Sequence, residues 1–174
     1  MSAPVKRLTL MRHAEARWKD PGLSDLDRPL NRRGTSAAEA MARRLLERQL
    51  VPDLLLVSPA LRTRQTADIV ARELSLPPRR VLHEEALYLA SAADMLKVVQ
   101  GTGPRVAHLL LVAHNPGVSE LVQLLVPEAE ASGLPTAALC SISFDTAHWT
   151  AIGVAAVRDV QREAPSKGLF GLFG

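Results

Sequence analysis

Leu8-Thr9-Leu10-Met11-Arg12-His13 decides how this chain folds. An apolar run stops abruptly on a guanidinium and an imidazole. A run without polar alternation reads as a strand covered on both faces, as strands of parallel sheets are. Open α/β sheets hold their ligands at the carboxyl ends of such strands. A neutral imidazole beside a fixed fork of guanidinium donors suits a phosphate site that contains a nucleophile. Two later segments repeat the pattern. Leu54-Leu55-Leu56-Val57 runs into Ser58-Pro59-Ala60-Leu61-Arg62, and Leu109-Leu110-Leu111-Val112-Ala113 runs into His114-Asn115-Pro116-Gly117. Three strands would therefore deliver Arg12, His13, Arg62 and His114 to one edge of a sheet.

Outward from these strands, periodicity supplies the helices. A polar loop at 14–33, rich in Asp, Pro and Gly, exceeds the usual connection and reads as functional. Gly34-Thr35-Ser36 opens a helix with Ala37, Ala38, Met41, Leu45 and Leu46 on one face. Pro59 starts a second helix over 61–74, and Pro77-Pro78 stops it. A short strand at 80–83, a helix at 92–99, a strand at 107–112 and a helix at 117–125 follow. Strands at 139–145 and 151–158 are joined by a turn near Thr146-Ala147-His148. Strands alternating with helices predict a three-layer α/β/α sandwich with a mostly parallel central sheet. The expected organisation is one domain, 1–160, and a flexible C-terminal tail, 161–174.

Composition narrows the function. The chain has 174 residues, enough for one substantial core, with 47% hydrophobic and 22% charged residues, as in soluble proteins. Aromatics are 3%, so Leu, Val and Ala must fill the interior. No apolar run approaches the roughly 20 residues that cross a bilayer, and the first residues lack a signal-peptide apolar region. The single cysteine, Cys140, lies in a strand-like run and reads as buried and structural. Together these features predict a cytoplasmic protein that engages no membrane. The formal charge is +3. Acidic residues alternate with the arginines, and no basic run carries aromatics on which bases could stack. That argues against nucleic acid and for an anionic substrate.

The motifs resemble those of the histidine phosphatase superfamily, the phosphoglycerate-mutase-like or RHG family. The resemblance rests on Leu10-Met11-Arg12-His13-Ala14-Glu15, on Ser58-Pro59-Ala60-Leu61-Arg62-Thr63-Arg64-Gln65-Thr66-Ala67 and on Val112-Ala113-His114-Asn115-Pro116-Gly117. It covers residues from about 6 to about 159, and within the superfamily the chain is most similar to the small SixA-type phosphohistidine phosphatases. It implies a phosphoglycerate-mutase-like fold with His13 as the nucleophile that carries the phosphoryl group. Arg12 and Arg62 match phosphate oxygens, and as nearby cations they hold the His13 pKa down. His114, once protonated, would donate to a phosphate oxygen. Asn115 is expected to add a donor or to orient His114. The Arg28-Pro29-Leu30 segment resembles the SixA-type loop, which makes Arg28 a further phosphate or substrate contact. Phosphomonoesterases and mutases of the family carry a glutamate after the third strand. Glu84 and Glu85 stand there, and Glu85 is preferred as general acid because Tyr88 follows at the mutase spacing. Ala14 departs from the usual glycine, a change that SixA-like members tolerate. Arg64 reads as solvated. His83, His108 and His148 have no carboxylate or cysteine at metal spacing. The arginines supply the charge, so neither metal nor cofactor is expected.

The weakly marked acid bears on the substrate. An alkoxide leaving group needs a proton donor, whereas imidazole, with a pKa of about 6.5, needs little help. Few residues remain for a lid between 66 and 98, so a phosphorylated side chain on a folded protein could enter. The first expectation is a phosphatase of protein phosphohistidine, and the second is a phosphatase of small phosphate esters such as sugar or nucleotide phosphates. A non-catalytic phosphoprotein-binding module would keep the arginines but has no need of His13. Nothing in the sequence sets an oligomeric state.

Overall fold

β1 is Lys6–Arg12; its Leu8 and Leu10 enter the core on one face of the sheet, and its Met11 enters the core on the other. The computed structural model describes residues 2–18, 20–129 and 132–166. Within them β1 belongs to a six-stranded sheet of order β3-β2-β4-β1-β5-β6. The remaining strands are β2 (Leu54–Val57), β3 (Val81–His83), β4 (His108–Ala113), β5 (Leu139–Phe144) and β6 (Val157–Glu163). β1 with β4, β2 with β4 and β2 with β3 pair parallel; β5 runs antiparallel to β1, and β6 antiparallel to β5. The helices are α1 (Arg32–Glu47), α2 (Leu61–Glu73), α3 (Ala92–Gln100) and α4 (Gly117–Leu125).

Strand alternation divides the interior in two. Leu109 and Leu111 of β4 join Leu8 and Leu10 beneath Met95 and Val99 of α3 and Leu121 and Leu125 of α4. Leu110 and Val112 join Met11, Leu55 and Val57 beneath Met41 and Leu45 of α1 and Val70 and Leu74 of α2. The three-layer expectation holds. It also locates a crevice. β1 and β4 are parallel neighbours, yet the chain leaves β1 toward the α1 face and leaves β4 toward the α4 face. Their carboxyl ends therefore part at a topological switch point, where open α/β sheets form a ligand crevice.

Local signals set the helix ends. The Asn31 side chain accepts from Gly34 N at 2.8 Å and caps α1, which begins two residues before the expected Gly34. Ser91 caps α3 by accepting from Asp94 N. Gly34 and Gly117 are required sterically. A Cβ on Gly34 would lie 2.0 Å from the Glu15 carbonyl oxygen, and one on Gly117 would lie 2.2 Å from that of Ala90. Ala14, by contrast, is fully buried and is not among the residues with positive φ, so losing the glycine introduces no backbone strain there.

The last strand differs from expectation. The apolar run over 151–157 suggests a strand, but Trp149–Ala151 forms a 3₁₀ turn and Gly153, at φ +108°, bends the chain away. Trp149 and Ile152 are anchored in the core instead. The more polar Val157–Glu163 segment becomes the edge strand, which pairs through its backbone with β5 and crosses the expected domain end at 160. The expected tail lies outside the described residues from 167 onward. No helix among the described residues is long and apolar enough to cross a membrane.

Gly34→Ala and Gly117→Ala should each lower stability by about 1–3 kcal/mol, because backbone must move to admit the methyl group. Gly103, where a Cβ would meet nothing within 4 Å, serves as the comparison and should stay within about 0.5 kcal/mol. Urea midpoints at constant slope measure all three.

Candidate active site

The end of the β1–β4 ladder sets the site. Arg12 closes β1 opposite Ala113, and His13 N then donates to Ala113 O at 3.1 Å. His114 follows β4 directly, so the two imidazoles leave adjacent strands at the same level. Their ring centroids are 5.5 Å apart, edge to face. Ser58 follows β2, its N–H donating to Val112 O at 3.1 Å, and α2 then brings in Arg62. α2 starts at Leu61, and its N-cap residue, Ala60, offers no side-chain cap. The structure thus brings together the four residues that the strand ends single out.

Hydrogen bonds assign the tautomers, since a carbonyl only accepts and a guanidinium only donates. His13 Nδ1 lies 2.8 Å from Ala14 O, so Nδ1 carries the proton and Nε2 keeps its lone pair. His114 Nδ1 accepts from Arg62 Nη2 at 3.2 Å, which leaves Nε2–H to donate to Ser58 Oγ at 2.6 Å. Both rings are neutral. Burial is the main cause for His13, opposed by the Ala14 hydrogen bond and assisted by Arg62, Arg12 and Arg28; it titrates at about 4. Burial, then Arg62 and His13, brings His114 to about 3, against the pull of Asp25. His114 thus stands neutral here, its one N–H donating to Ser58.

Arg12 Nη1 donates to Leu134 O at 3.1 Å, while its Nε is buried without a partner among the described residues. Asn115 Nδ2 donates to the same carbonyl at 3.0 Å, and Asn115 Oδ1 accepts from the Ser119 N–H and hydroxyl. Both ends of the Asn115 amide thus tie the segment around Leu134 to α4. Arg28 lies at the rim, where its guanidinium donates to Arg17 O and to Asp25 Oδ1. A cleft of about 200 Å³ opens there, lined by Arg12, His13, Glu15, Ala16, Trp18, Arg28 and Thr136.

Glu85 behaves differently from expectation. It is exposed, and its side chain enters none of the hydrogen bonds of this cluster. Leu87 anchors the turn after β3 in the core, and the next residue, Tyr88, reaches the site. Its ring stands 5.6 Å from His114, and its hydroxyl donates to Asp25 Oδ2 at 2.8 Å. Asp25 is the carboxylate inside the cluster. Burial pushes its carboxyl up, but hydrogen bonds from Tyr88, Arg28 and Arg62 overcome that and hold it at about 2. Asp25, Ser58 and Tyr88 were not singled out by sequence. Ser58 opens the second motif, Tyr88 served only as a spacing marker, and Asp25 stands three residues before Arg28. Among the described residues, no group of three or more His, Cys, Asp or Glu is placed to hold a metal ion.

The model of the histidine phosphatase superfamily (branch 1) matches residues 8–87. Phosphohistidine phosphatase SixA of Escherichia coli K12 is 31% identical over 137 residues, which span 78% of this chain and 84% of that protein. An uncharacterized chloroplastic protein of Arabidopsis thaliana is 29% identical over 128 residues, spanning 69% of this chain and 59% of its own length. Among solved structures, the protein histidine phosphatase SixA complexed with tungstate superposes with a TM-score of 0.77 at 27% identity, covering 91% of this chain and 97% of that one. The phosphoglycerate-mutase-like architecture is shared over nearly the whole chain.

Two measurements check the imidazole assignments. Ring-nitrogen NMR should show His13 bare at Nε2 and His114 bare at Nδ1 in the ligand-free protein, with protonation only near pH 4 and pH 3. The buried His108, also lowered to about 4 chiefly by burial, should behave likewise. Unfolded histidines titrate near about 6.5, so the unfolded chain binds protons that the folded one refuses. Stability should be complete above about pH 6.5 and decline as pH falls toward 4, read from urea midpoints. A midpoint that rises on acidification would refute the neutral rings.

Proposed function

The chain belongs to the histidine phosphatase superfamily, and from that premise we propose that it is a phosphatase that passes a phosphoryl group through His13, with phosphohistidine on a protein as its substrate. One observation carries this reading. The Ala14 carbonyl holds His13 with its proton on Nδ1, so a neutral Nε2 lone pair is available beside Arg12 at the wall of an open cleft. A neutral imidazole in that form is a ready nucleophile at neutral pH.

In the first step Nε2 of His13 attacks phosphorus, a phosphorus–nitrogen bond forms, and the bond to the leaving group breaks, a substrate imidazole departing neutral because its far ring nitrogen has taken a proton from solvent. Water attacks the phosphohistidine in the second step, releasing inorganic phosphate and restoring His13. Arg12 and Arg62 take up charge on the equatorial oxygens, as phosphoryl transfer requires. Arg28 adds positive charge at the rim. A dianionic phosphoryl group that engages Arg62 supplies the negative charge that favours imidazolium at His114. His114 then gains a proton at Nδ1 and donates it as a hydrogen bond to a phosphoryl oxygen. Asn115 acts one layer out, fixing the Leu134 carbonyl that aims Arg12.

The preference for phosphohistidine rests on the leaving group and on access. Glu85 is exposed and outside the cluster, and the Asp25 carboxyl inside it is held ionised by its donors. Imidazole leaves without strong acid help, whereas an alkoxide does not. Trp18, 93% exposed, stands at the rim of the cleft, which suits a macromolecular substrate. The SixA relatives, one of them bound to tungstate, a tetrahedral oxyanion, support the same reading. A phosphatase of small phosphate esters is the second reading, kept because the arginine–histidine cluster binds any terminal phosphoryl group.

Acid-labile, alkali-stable label on His13 should be trapped when turnover of labelled phosphohistidine protein is quenched. His13→Ala should abolish both the label and turnover, and chelator should leave turnover unchanged. Label on another residue type, or full activity without His13, overturns the mechanism.

Substrate choice is decided separately. Phosphohistidine protein should exceed sugar phosphates in kcat/KM, and Glu85→Gln should change its turnover less than about threefold, far below the 10²–10⁴-fold expected for loss of a general acid. A preference for a sugar phosphate together with a large loss in Glu85→Gln would establish the second reading.

A further inference from the structure

The seat that a phosphoryl group needs on Arg62 is already occupied. Arg62 Nη1 donates to the Asp25 carbonyl at 2.7 Å, and Nη2 donates to Asp25 Oδ2 at 3.0 Å. The other hydrogen of Nη2 goes to His114 Nδ1. Asp25 is held from two further directions, Tyr88 hydroxyl on Oδ2 at 2.8 Å and Arg28 Nη1 on Oδ1 at 3.1 Å. Arg62 and His114 are each 3% exposed. Asp25 thus fills both prongs of the guanidinium, one with its main-chain carbonyl and one with its carboxylate, and a phenol and a second arginine surround that carboxylate as donors suited to an oxyanion. An external phosphoryl group cannot take this fork until Asp25 leaves it.

The segment is built to leave. Asp25–Asp27 is one 3₁₀ turn with no buried residue, in the long connection between β1 and α1. Apart from the bonds at Asp25 already described, its side-chain and turn hydrogen bonds are local, Ser24 Oγ to Asp27 Oδ2 and Asp27 N to Ser24 O. Swinging it outward uncovers no core. Tyr88 and Arg28 lose a partner but stay beside the phosphoryl group that replaces it.

Building on the phosphatase reading above, we propose that Asp25 is an intramolecular competitor for the phosphoryl seat, holding Arg62 between turnovers, yielding to a dianionic phosphoryl group and weakening the hold on inorganic phosphate. Its charge sets a threshold. A monoanion gains little over the carboxylate already present, whereas a dianion gains the attraction of Arg12, Arg28 and Arg62 twice over. Asp25 thereby selects terminal phosphoryl groups over diesters and carboxylates. It also keeps the product, itself a good ligand for the arginines, from lingering.

Calorimetric titration of the full chain with inorganic phosphate and with tungstate tests this, using the wild type, Asp25→Ala and Tyr88→Phe. Asp25→Ala should bind both oxyanions about tenfold more tightly, the scale of one lost charge-assisted hydrogen bond. Product inhibition by phosphate should strengthen in parallel. Tyr88→Phe, which removes one hydrogen bond from the carboxylate, should move affinity in the same direction by less. Weaker oxyanion binding in Asp25→Ala would show that Asp25 merely positions Arg62. Unchanged affinity with lost turnover would make it a proton carrier, and no oxyanion binding by either protein would remove the seat itself; each of these overturns the proposal. Thermal melts confirm that both variants fold. The titration itself reads binding, so its outcome is separate from the His13 trapping result that judges the phosphatase reading.

Discussion

The parallel ladder between β1 and β4 holds the site in register. It runs from Arg7 opposite His108 to Arg12 opposite Ala113, and the His13 N–H to Ala113 O bond extends it one step further. Because the helices that follow these strands lie on opposite faces, His13 and His114 emerge side by side at a parting of the chain. Ser58 and Arg62 arrive from β2 on the other side of β4. A one-residue slip in this ladder would turn Met11 away from α1 and break the His13 N–H to Ala113 O bond that sets His13 beside His114. Core packing and chemistry therefore depend on the same hydrogen bonds.

Crowded positive charge is the second constraint. Arginines cannot shed their protons, so the imidazoles among them must be neutral. Burial does most of this for both rings, and the guanidiniums add to it. Within the site the positive charge is balanced by the Asp25 carboxylate, which is shared by Arg62, Arg28 and Tyr88. Charge balance and access are thus one problem here: the group that neutralises Arg62 also covers it.

Much of this was legible in sequence because the informative strands are local runs. Leu54–Val57 and residues 109–113 lack polar alternation, which only strands buried on both faces allow. Arg12, His13 and His114 sit where such runs end, so their place at the sheet edge follows directly. Residues 151–158 misled because the apolar run there folds as a turn around Trp149 and Ile152, while the edge strand pairs through backbone groups that carry no side-chain signature. Asp25 and Tyr88 escaped notice for another reason. Their contacts join residues 37 and 63 positions apart, and no periodicity records a hydrogen bond across a loop. Glu85 drew attention through its spacing to Tyr88, but the turn delivers the phenol and leaves that carboxylate in solvent.

The groups that aim the site are mostly main-chain oxygens. Arg12 is directed by the carbonyl of Leu134, His13 by that of Ala14, Arg28 by that of Arg17 and Arg62 in part by that of Asp25. Every amino acid carries such an oxygen, so the side chains at 17 and 134 can drift over evolutionary time without disturbing the guanidiniums they steer. What selection must preserve there is loop length and path, since an insertion displaces the oxygen where a substitution does not. Lineages of this enzyme can thus diversify the rim that meets a substrate while the chemistry beneath it stays fixed.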